Sequence, residues 1–326
     1  MKQYVSRRSV VSAAILFALF PLFWLLSTRI SGAYTEGDQV WYRALYDSLH
    51  GAYFGEIRSY QSRLTSSVEP VLGALYWLGS NLSIQKDVYL GLWNALLLSL
   101  VVLHLRKYRA SLLFSFLLLL NYYLWVLLFA ADRLKFAYIF LLVAALSGNR
   151  IVKFMASSIS VFSHFQIIIQ WASIAAARIA EAVRLRADIN KNKLIRYSIL
   201  LLAALFFALY LGAQYSEFIS SKAIRYADAY GGGVMSLVNI LILLVVGVVV
   251  LERRLDFLAG LIPLAIAAYL LGPERVNMMA VFLFIVFALE ERKTSNLAVI
   301  SLMIYFAIKA MGFLYNIYYF GHGYPR

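Results

Sequence analysis

The sequence predicts an all-α integral membrane protein that crosses the bilayer about eleven times (roughly ten to twelve). Of its 326 residues, 63% are hydrophobic and 14% are charged, whereas a soluble globular domain carries about 45–50% apolar and about 25% charged residues. Apolar runs long enough to cross the roughly 30 Å hydrocarbon layer recur along the whole chain. Basic residues cluster between alternate runs, which indicates the orientation of each crossing.

The first predicted span covers residues 10–28. The basic segment MKQYVSRRSV precedes it and no convincing small-residue cleavage site follows, so we expect a retained helix with a cytoplasmic N-terminus. Residues 151–181 are divided into two helices because Arg150, Lys153 and the basic stretch 178–196 should all face the cytoplasm. The other predicted spans are 88–105, 111–130, 134–148, 151–164, 165–181, 194–212, 234–251, 255–271, 276–290 and 296–314.

Residues 70–82, PVLGALYWLGSNL, form an apolar run that is short for a span. If this run crossed the bilayer, the basic segment RKYR at 106–109 would lie outside, against the positive-inside tendency. We therefore predict an interfacial helix at 70–82, within a long outer loop at 29–87. A second outer loop is predicted at 213–233, and the whole chain, 1–326, is expected to form one transmembrane domain.

The formal net charge of +14 is explained mainly by this topology. In a soluble protein such a charge would suggest nucleic acid, but here the basic residues concentrate in the predicted cytoplasmic segments, so no nucleic-acid partner is expected. The residues on that side are Lys2, Arg7, Arg8, Arg106, Lys107, Arg109, Arg150, Lys153, Arg178, Arg184, Arg186, Lys191, Lys193, Arg196, Arg253, Arg254, Arg292 and Lys293.

Several kinds of chemistry are disfavoured by what the sequence lacks. The chain has no cysteine, which excludes disulfides, thiol nucleophiles and Cys-ligated metals. It has no D-x-D, no H-E-x-x-H, no Walker-type loop and no Gly-rich dinucleotide motif. We therefore expect neither a cofactor nor a bound metal, and neither an ATP-driven pump nor a nucleotide-sugar enzyme that uses a carboxylate-held metal.

Three arginines on the predicted outer side are candidates for binding an anion. The planar guanidinium of Arg133 suits two-point contact with phosphate oxygens, although a surface ion pair with Asp132 or snorkelling would also explain its position. Arg275 follows Pro273 at the start of a helix, where backbone N–H groups and the helix dipole favour an anion. Arg225, in the second outer loop, is a weaker candidate because a solvated face is the stronger explanation of its position.

The candidates for proton transfer are Asp38, Glu69 and His164. A carboxylate near the membrane can act as a base for a sugar hydroxyl if it is desolvated. Alternatively, Asp38 sits in a Gly-Asp turn and Glu69 caps the helix that begins at Pro70. His164 lies in the apolar segment SISVFSHFQIIIQ, where a hydrogen-bonded packing residue is the more common explanation.

The order of several short motifs resembles the EpsG-like branch of the Wzy-type O-antigen and exopolysaccharide polymerases. These motifs are Gly37-Asp38 with Tyr42, Glu69-Pro70, Arg133 followed by Lys135-Phe136-Ala137, and Ser163-His164-Phe165. Pro273-Glu274-Arg275 is similar to the outer arginine element that this family carries near its C-terminus. The resemblance implies a fold like that of the GT-C-like membrane glycosyltransferases.

The resemblance also implies a reaction at the periplasmic face of the bacterial inner membrane. A glycan on undecaprenyl diphosphate would be transferred to a new lipid-linked repeat unit, without nucleotide or metal. Arg133 and Arg275 would bind the diphosphate, while Arg225 and Tyr42 would help to hold phosphate or glycan. Asp38 or Glu69 would be the base, with His164 in support. The implied partners are lipid-linked oligosaccharides, membrane lipid and a chain-length regulator protein.

Three alternatives remain open at this point. An O-antigen ligase would use the same donor and transfer the glycan to the lipid A core. A lipid-linked oligosaccharide flippase or another transporter would require deep charges and broken helices, and Lys309 is the main deep charge in this sequence. A structural or scaffolding subunit would need none of the arginines at the span edges.

Overall fold

The structure is a computed structural model that describes residues 7–184, 237–271 and 273–324, together with five single residues between 195 and 206. Every regular element in these ranges is helical, which confirms the all-α class. The chain forms two compact units, Met1–Phe165 with Met303–Arg326, and Gln166–Leu302. The predicted second outer loop, 213–233, and most of the predicted span 194–212 lie outside the described residues.

Over its described residues, the first unit contains nine helices and most of a tenth. A short 3₁₀ turn, Phe54–Glu56, lies between the second and third of them. The helices are α1 (Arg7–Ala33), α2 (Asp38–Ser48), α3 (Ile57–Thr65), α4 (Pro70–Asn81), α5 (Lys86–Lys107), α6 (Leu112–Leu119), α7 (Tyr122–Phe129), α8 (Asp132–Leu146) and α9 (Arg150–Ser163). The second unit's described helices are α10 (Ile167–Arg184), α11 (Val238–Val250), α12 (Arg254–Leu271) and α13 (Pro273–Glu290), and α14 (Leu297–Phe320) continues from this unit into the first.

Two of the described helices, α5 and α14, are long and apolar enough to cross a bilayer. A third crossing is obtained if α6 and α7 are counted as one bent span. The segments Phe17–Ala33 and Val238–Val250 are apolar but shorter. By length and composition, the described helices therefore supply two or three spans, and they do not support a count of about eleven.

The predicted span 111–130 is broken near its middle. Helices α6 and α7 meet at an angle of 42°, and Asn121 occupies the break as the N-cap of α7. The Asn121 side-chain oxygen accepts a hydrogen bond from the backbone N–H of Tyr123 (2.9 Å). An asparagine side chain can replace a helical backbone bond in this way, which explains why an otherwise continuous apolar run changes direction here.

The predicted outer loop at 29–87 is mostly helical, since the end of α1 and helices α2 to α4 occupy it. Helix α2 begins at Asp38 and ends at Ser48 inside this segment, and α4 coincides with the predicted helix at 70–82. Helix α4 packs closely on its neighbours through glycine: a Cβ added at Gly79 would lie 2.6 Å from the Tyr46 hydroxyl. The location of α4 at the membrane surface stays a prediction.

Two sets of contacts in the first unit agree with the predicted directions of its helices. At the predicted cytoplasmic side, the Lys107 ammonium at the end of α5 donates to the Ala145 carbonyl near the end of α8 (2.7 Å). At the opposite end, the backbone N–H groups of Thr35 and Glu36 donate to the Gly321 carbonyl (3.0 and 2.8 Å). The end of α1 and the end of α14 therefore lie on one side of this unit.

In the second unit, a ring of ion pairs joins the ends of α10, α12 and α13. Arg178 contacts Glu181 (3.0 Å) and Glu290 (2.5 Å), and Arg253 closes the ring by contacting the same two carboxylates (2.9 Å each). Asp256 is fully buried beside this ring and also contacts Arg253 (3.1 Å). These helix ends were all predicted to be cytoplasmic, and the ring shows that they share one side of their unit.

Candidate functional site

The first unit brings together four of the predicted site residues, Tyr42, Glu69, Arg133 and His164. They come from α2, the residue before α4, the first turn of α8 and the residue after α9. The Glu69 carboxylate contacts both the Arg133 guanidinium (3.4 Å) and the His164 imidazole (3.0 Å). All four side chains are buried, so the pairings form with little competition from water.

Glu69 was considered as a helix cap, and its side chain does not act as one. The residue occupies the N-cap position of α4, but no side-chain capping hydrogen bond is formed. Its carboxylate instead accepts hydrogen bonds from the Ser67 hydroxyl and from Arg133 and His164. Gln61 fixes this segment by donating to the Ser67 hydroxyl and to the Glu69 carbonyl (2.8 Å each).

These contacts determine the charge on Glu69. Burial on its own would raise the pKa of a carboxyl group. The hydrogen bond from His164 and the positive charge of Arg133 outweigh burial, and together with Ser67 they hold the pKa of Glu69 well below its usual value. A carboxylate that is this strongly stabilised is a weak base.

His164 interrupts the apolar helical segment in which it lies. Helix α9 ends at Ser163, and His164 has an extended backbone (φ −159°, ψ 115°). A carboxylate can only accept, so the Nδ1–H of His164 donates to Glu69. When the imidazole is neutral, this bond leaves the lone pair on Nε2, the nitrogen that can then accept a proton.

Arg133 was considered as half of a surface ion pair with Asp132, and that interpretation is wrong. Arg133 is buried, its Nε donates to the Tyr42 hydroxyl (3.2 Å), and its Nη1 faces both Glu69 oxygens (3.4 Å each). Its Nη2 makes no hydrogen bond to any residue that the structure describes. A guanidinium presents five N–H donors, so this nitrogen offers two donors to an anion without loss of the Glu69 contact.

Asp132 instead organises a second buried cluster beside the first. Its carboxylate accepts hydrogen bonds from the Lys135 ammonium (2.8 Å) and the Tyr76 hydroxyl (2.7 Å). The side-chain amide of Gln39 donates to Asp132 (3.3 Å) and accepts from the Lys86 ammonium (2.6 Å). This cluster joins α2, α4, α5 and α8, and it therefore fixes the turn of α8 that carries Arg133.

The other predicted site residues are Asp38, Arg275 and Arg225. Asp38 begins α2 and is not among the hydrogen-bond partners of Glu69 or Arg133. Arg275 lies in the first turn of α13, in the second unit, and Arg225 lies outside the described residues. Among the residues that the structure describes, no three His, Asp or Glu side chains are grouped to hold a metal ion.

Several polar residues of these clusters were not predicted from the sequence. The Asp132–Lys135 pair has a local signal, because side chains three residues apart on a helix are neighbours. Ser67 lies two residues before Glu69, which is also close enough to suggest contact. The contacts of Gln39, Tyr76 and Lys86 with this cluster depend on the tertiary fold and have no signal in a single sequence.

Comparisons of the chain with protein-family models, with curated proteins and with solved structures found no match.

Proposed function

We propose that this protein is a membrane glycosyltransferase that polymerises oligosaccharide repeat units carried on undecaprenyl diphosphate. The observation that carries this proposal is the buried group of Glu69, His164 and Arg133, which combines an oriented imidazole with a guanidinium that has a donor nitrogen to spare. Such a group supplies both requirements of the reaction, a base for the acceptor hydroxyl and a cation for the diphosphate leaving group.

In the proposed reaction, the acceptor hydroxyl oxygen attacks the anomeric carbon of the donor sugar. A new glycosidic C–O bond forms while the bond from that carbon to the diphosphate oxygen breaks. The hydroxyl proton moves to Nε2 of His164, and the electron pair of the broken bond leaves with the lipid diphosphate. Arg133 binds the diphosphate through Nη2, while Glu69 keeps His164 in the required tautomer.

This assignment changes the roles predicted from the sequence. Glu69 and Asp38 were both candidates for the base, and the low pKa of Glu69 favours His164 instead. Tyr42 supports the reaction by fixing Arg133. Arg275 and Arg225 stay candidate ligands of phosphate or glycan.

The cellular setting is part of the same proposal. The protein would be a multi-pass protein of the bacterial inner membrane, with about eleven crossings and the site facing the periplasm. The segments beyond the two or three long apolar helices would cross as shorter helices. Its partners would be lipid-linked oligosaccharides, membrane lipid and a chain-length regulator protein, with no nucleic acid.

The decisive test combines genetics with a reconstituted assay. Deletion of the gene should leave surface polysaccharide with single repeat units, whereas loss of a ligase or a flippase should leave none. A normal long ladder after deletion would refute the proposal. In proteoliposomes with lipid-linked repeats extracted from the host, His164→Gln and Arg133→Ala should abolish chain extension, whereas the matched variants His104→Gln and Arg58→Ala should retain it.

A second candidate, a transporter of lipid-linked oligosaccharide, is favoured by one specific observation. The Lys309 ammonium lies 4.3 Å from the centre of the Tyr122 ring, in the middle of α14 and beside the break between α6 and α7. A deep charge next to a discontinuous helix is typical of transporters. Lys309→Met should abolish lipid flipping if this is the function, and should leave chain extension intact if the protein is a polymerase.

A further inference from the structure

The turn between α2 and α3 exposes two adjacent aromatic side chains. Tyr53 is 80% exposed and Phe54 is 62% exposed, although large aromatic side chains are usually at least partly covered. Isolated exposed apolar residues need no explanation. Two neighbouring ones on a rigidly supported turn do need one, because the support fixes them in an unfavourable exposure to water.

The turn is held by four hydrogen bonds to the last turn of α4. The Asn81 amide accepts from the Gly51 N–H (3.0 Å) and donates to the Leu49 carbonyl (2.8 Å). The His50 Nδ1–H donates to the Ser80 carbonyl (2.8 Å). These bonds fix the chain immediately before the two aromatic residues.

The fourth hydrogen bond fixes the aromatic residues themselves. Trp77 donates its indole N–H to the Ala52 carbonyl (2.8 Å), and its ring packs edge-to-face against Phe54 with the ring centres 5.4 Å apart. On the other side, the Glu56 carboxylate accepts from the backbone N–H of Tyr53 (3.1 Å). Tyr53 and Phe54 are therefore presented in a fixed orientation before any partner binds.

The position of this turn in the fold indicates its partner. Asn81 is followed after a few residues by Lys86, which begins α5, one of the two helices able to cross a bilayer. The turn thus lies near the outer end of a candidate span, where Trp and Tyr side chains concentrate in membrane proteins. The large side chains exposed in the same part of α4 and just after it, Leu78 and Leu82, are aliphatic.

The charges beside the turn fit the same kind of partner. Arg58 and Arg63 are exposed on α3, the helix that follows the turn. Cationic side chains next to apolar ones suit a phospholipid surface, which offers phosphates above its acyl chains. Exposed apolar side chains suit the acyl region of a lipid surface, and Phe54, Leu78 and Leu82 offer no hydrogen bond to a sugar hydroxyl.

We propose that the Tyr53–Phe54 turn inserts into the headgroup region of the outer leaflet and anchors helices α2 to α4 against the bilayer surface. The proposal rests on the membrane location given above and is independent of the proposed polymerase activity. Anchoring at this point would hold Tyr42 and Glu69, which α2 and α4 position, at a fixed depth relative to a lipid-linked substrate.

The absence of cysteine makes a direct test possible, because a single introduced cysteine can be labelled in the full-length chain. Gly55→Cys is the reporter, since a Cβ at this position meets nothing within 4 Å and both aromatic residues are kept. Gly148→Cys, in the exposed loop between α8 and α9, is the water-facing reference, since a Cβ at this position also meets nothing within 4 Å. Ile308→Cys, which replaces an exposed side chain of α14, is the lipid-facing reference.

Each variant is labelled with a fluorophore, reconstituted into phosphatidylcholine–phosphatidylglycerol vesicles, and quenched with brominated lipid or with aqueous iodide. The Gly55 label should lose about half of its fluorescence to brominated lipid, as expected for a depth of 5–10 Å, and adding Tyr53→Ser and Phe54→Ser should remove most of this loss. A Gly55 label quenched by iodide like the Gly148 label would overturn the proposal, as would lipid quenching that persists without the aromatic pair.

Further outcomes of this experiment distinguish the anchor from the membrane location and from the proposed polymerase activity. If brominated lipid fails to quench the Ile308 label, the membrane location itself is wrong and the anchor is refuted with it. If the Gly55 label is water-accessible and the Tyr53→Ser/Phe54→Ser protein loses chain extension, the turn contacts glycan, which overturns the anchor and supports the polymerase. Lipid quenching of the Gly55 label in a protein with no polymerase activity supports the anchor alone.

Discussion

The replacement Glu69→Gln tests the central pairing of the site with the least change in shape. The amide is nearly isosteric with the carboxylate but carries no charge. Arg133 would then be a buried cation without a counter-ion, and the His164 Nδ1–H would lose an ionised acceptor. Both consequences follow from the contacts that the Glu69 oxygens make.

The loss of stability expected for Glu69→Gln follows from the distance between Glu69 and Arg133 and from the burial of both side chains. At the 3.4 Å separation of Glu69 and Arg133, the Coulomb attraction is about 5 kcal/mol with an effective dielectric constant of about 20. Desolvation of both groups opposes this gain. Removal of one partner from a buried pair typically costs about 3–5 kcal/mol, because the other charge is left uncompensated.

A double-mutant cycle isolates the pairing from other effects. Glu69→Gln, Arg133→Met and the double variant would be compared by reversible unfolding of the full-length protein in mixed micelles. We expect a coupling free energy of about 1–3 kcal/mol. Additivity within about 0.5 kcal/mol would refute the reasoning, since it would mean that the two side chains do not interact.

The pair Glu252–Lys293 provides a matched control. Its two charged groups are closer, at 2.7 Å, but the Glu252 side chain is 77% exposed. If burial rather than distance decides the strength of a pair, the same cycle at Glu252 and Lys293 should show no measurable coupling.

The difference in stability between wild type and Glu69→Gln should depend on pH. The pKa of Glu69 is lower in the folded protein than its ordinary value of 4.5, so its ionised form stabilises the fold at pH values above 4.5. Below that value the unfolded state binds the proton first and the stabilisation declines. The difference in unfolding free energy between wild type and Glu69→Gln should therefore be constant above about pH 5.5 and shrink steadily below pH 4.5.

Three further predictions concern the scaffold. Asp132→Asn should destabilise the protein by about 3–5 kcal/mol in unfolding measurements because it leaves Lys135 without a counter-ion. The exposed control Asp47→Asn should be neutral. Arg253→Ala should lower the unfolding free energy by about 1–3 kcal/mol, because it removes contacts to three carboxylates. The control Arg254→Ala, at the adjacent exposed residue, should leave the unfolding free energy unchanged. Gly79→Ala would put a methyl group 2.6–2.8 Å from Tyr46 and Tyr89, and it should lower the unfolding free energy by about 1–3 kcal/mol. Gly148→Ala is the control and should cause no loss of stability, because a Cβ at Gly148 meets nothing within 4 Å.

The sequence predicted the helices better than the contacts among polar residues. Hydropathy located α5, α9, α10 and α12 within a few residues of their observed ends, because a run of apolar residues is a local property. The break at Asn121 was missed although its signal is also local: a polar residue with N-cap character stands between two apolar stretches. Helices α2 and α3 lie inside residues 29–87, a segment that was predicted to be mainly an outer loop.

The candidate site shows where a single sequence stops being informative. The sequence indicates Glu69, Arg133 and His164 as candidates by their chemical type. Arg133 and His164 lie 64 and 95 residues after Glu69, and a single sequence carries no information that the three side chains are in contact. Adjacent residues on a helix point about 100° apart, which is why Asp132 and Arg133 serve different clusters instead of pairing.

The net charge of the proposed site would change during the reaction in a way that suits glycosyl transfer. With Glu69 ionised, Arg133 cationic and His164 neutral, the three groups sum to zero before reaction. When His164 takes the acceptor proton, the site gains one positive charge at the moment when the leaving diphosphate gains one negative charge. An interaction that strengthens as the reaction proceeds stabilises the transition state more than the bound substrate, which is the condition for acceleration. If Glu69 were the base instead, its protonation would remove the counter-ion of Arg133, and the buried pair would be disrupted in every catalytic cycle.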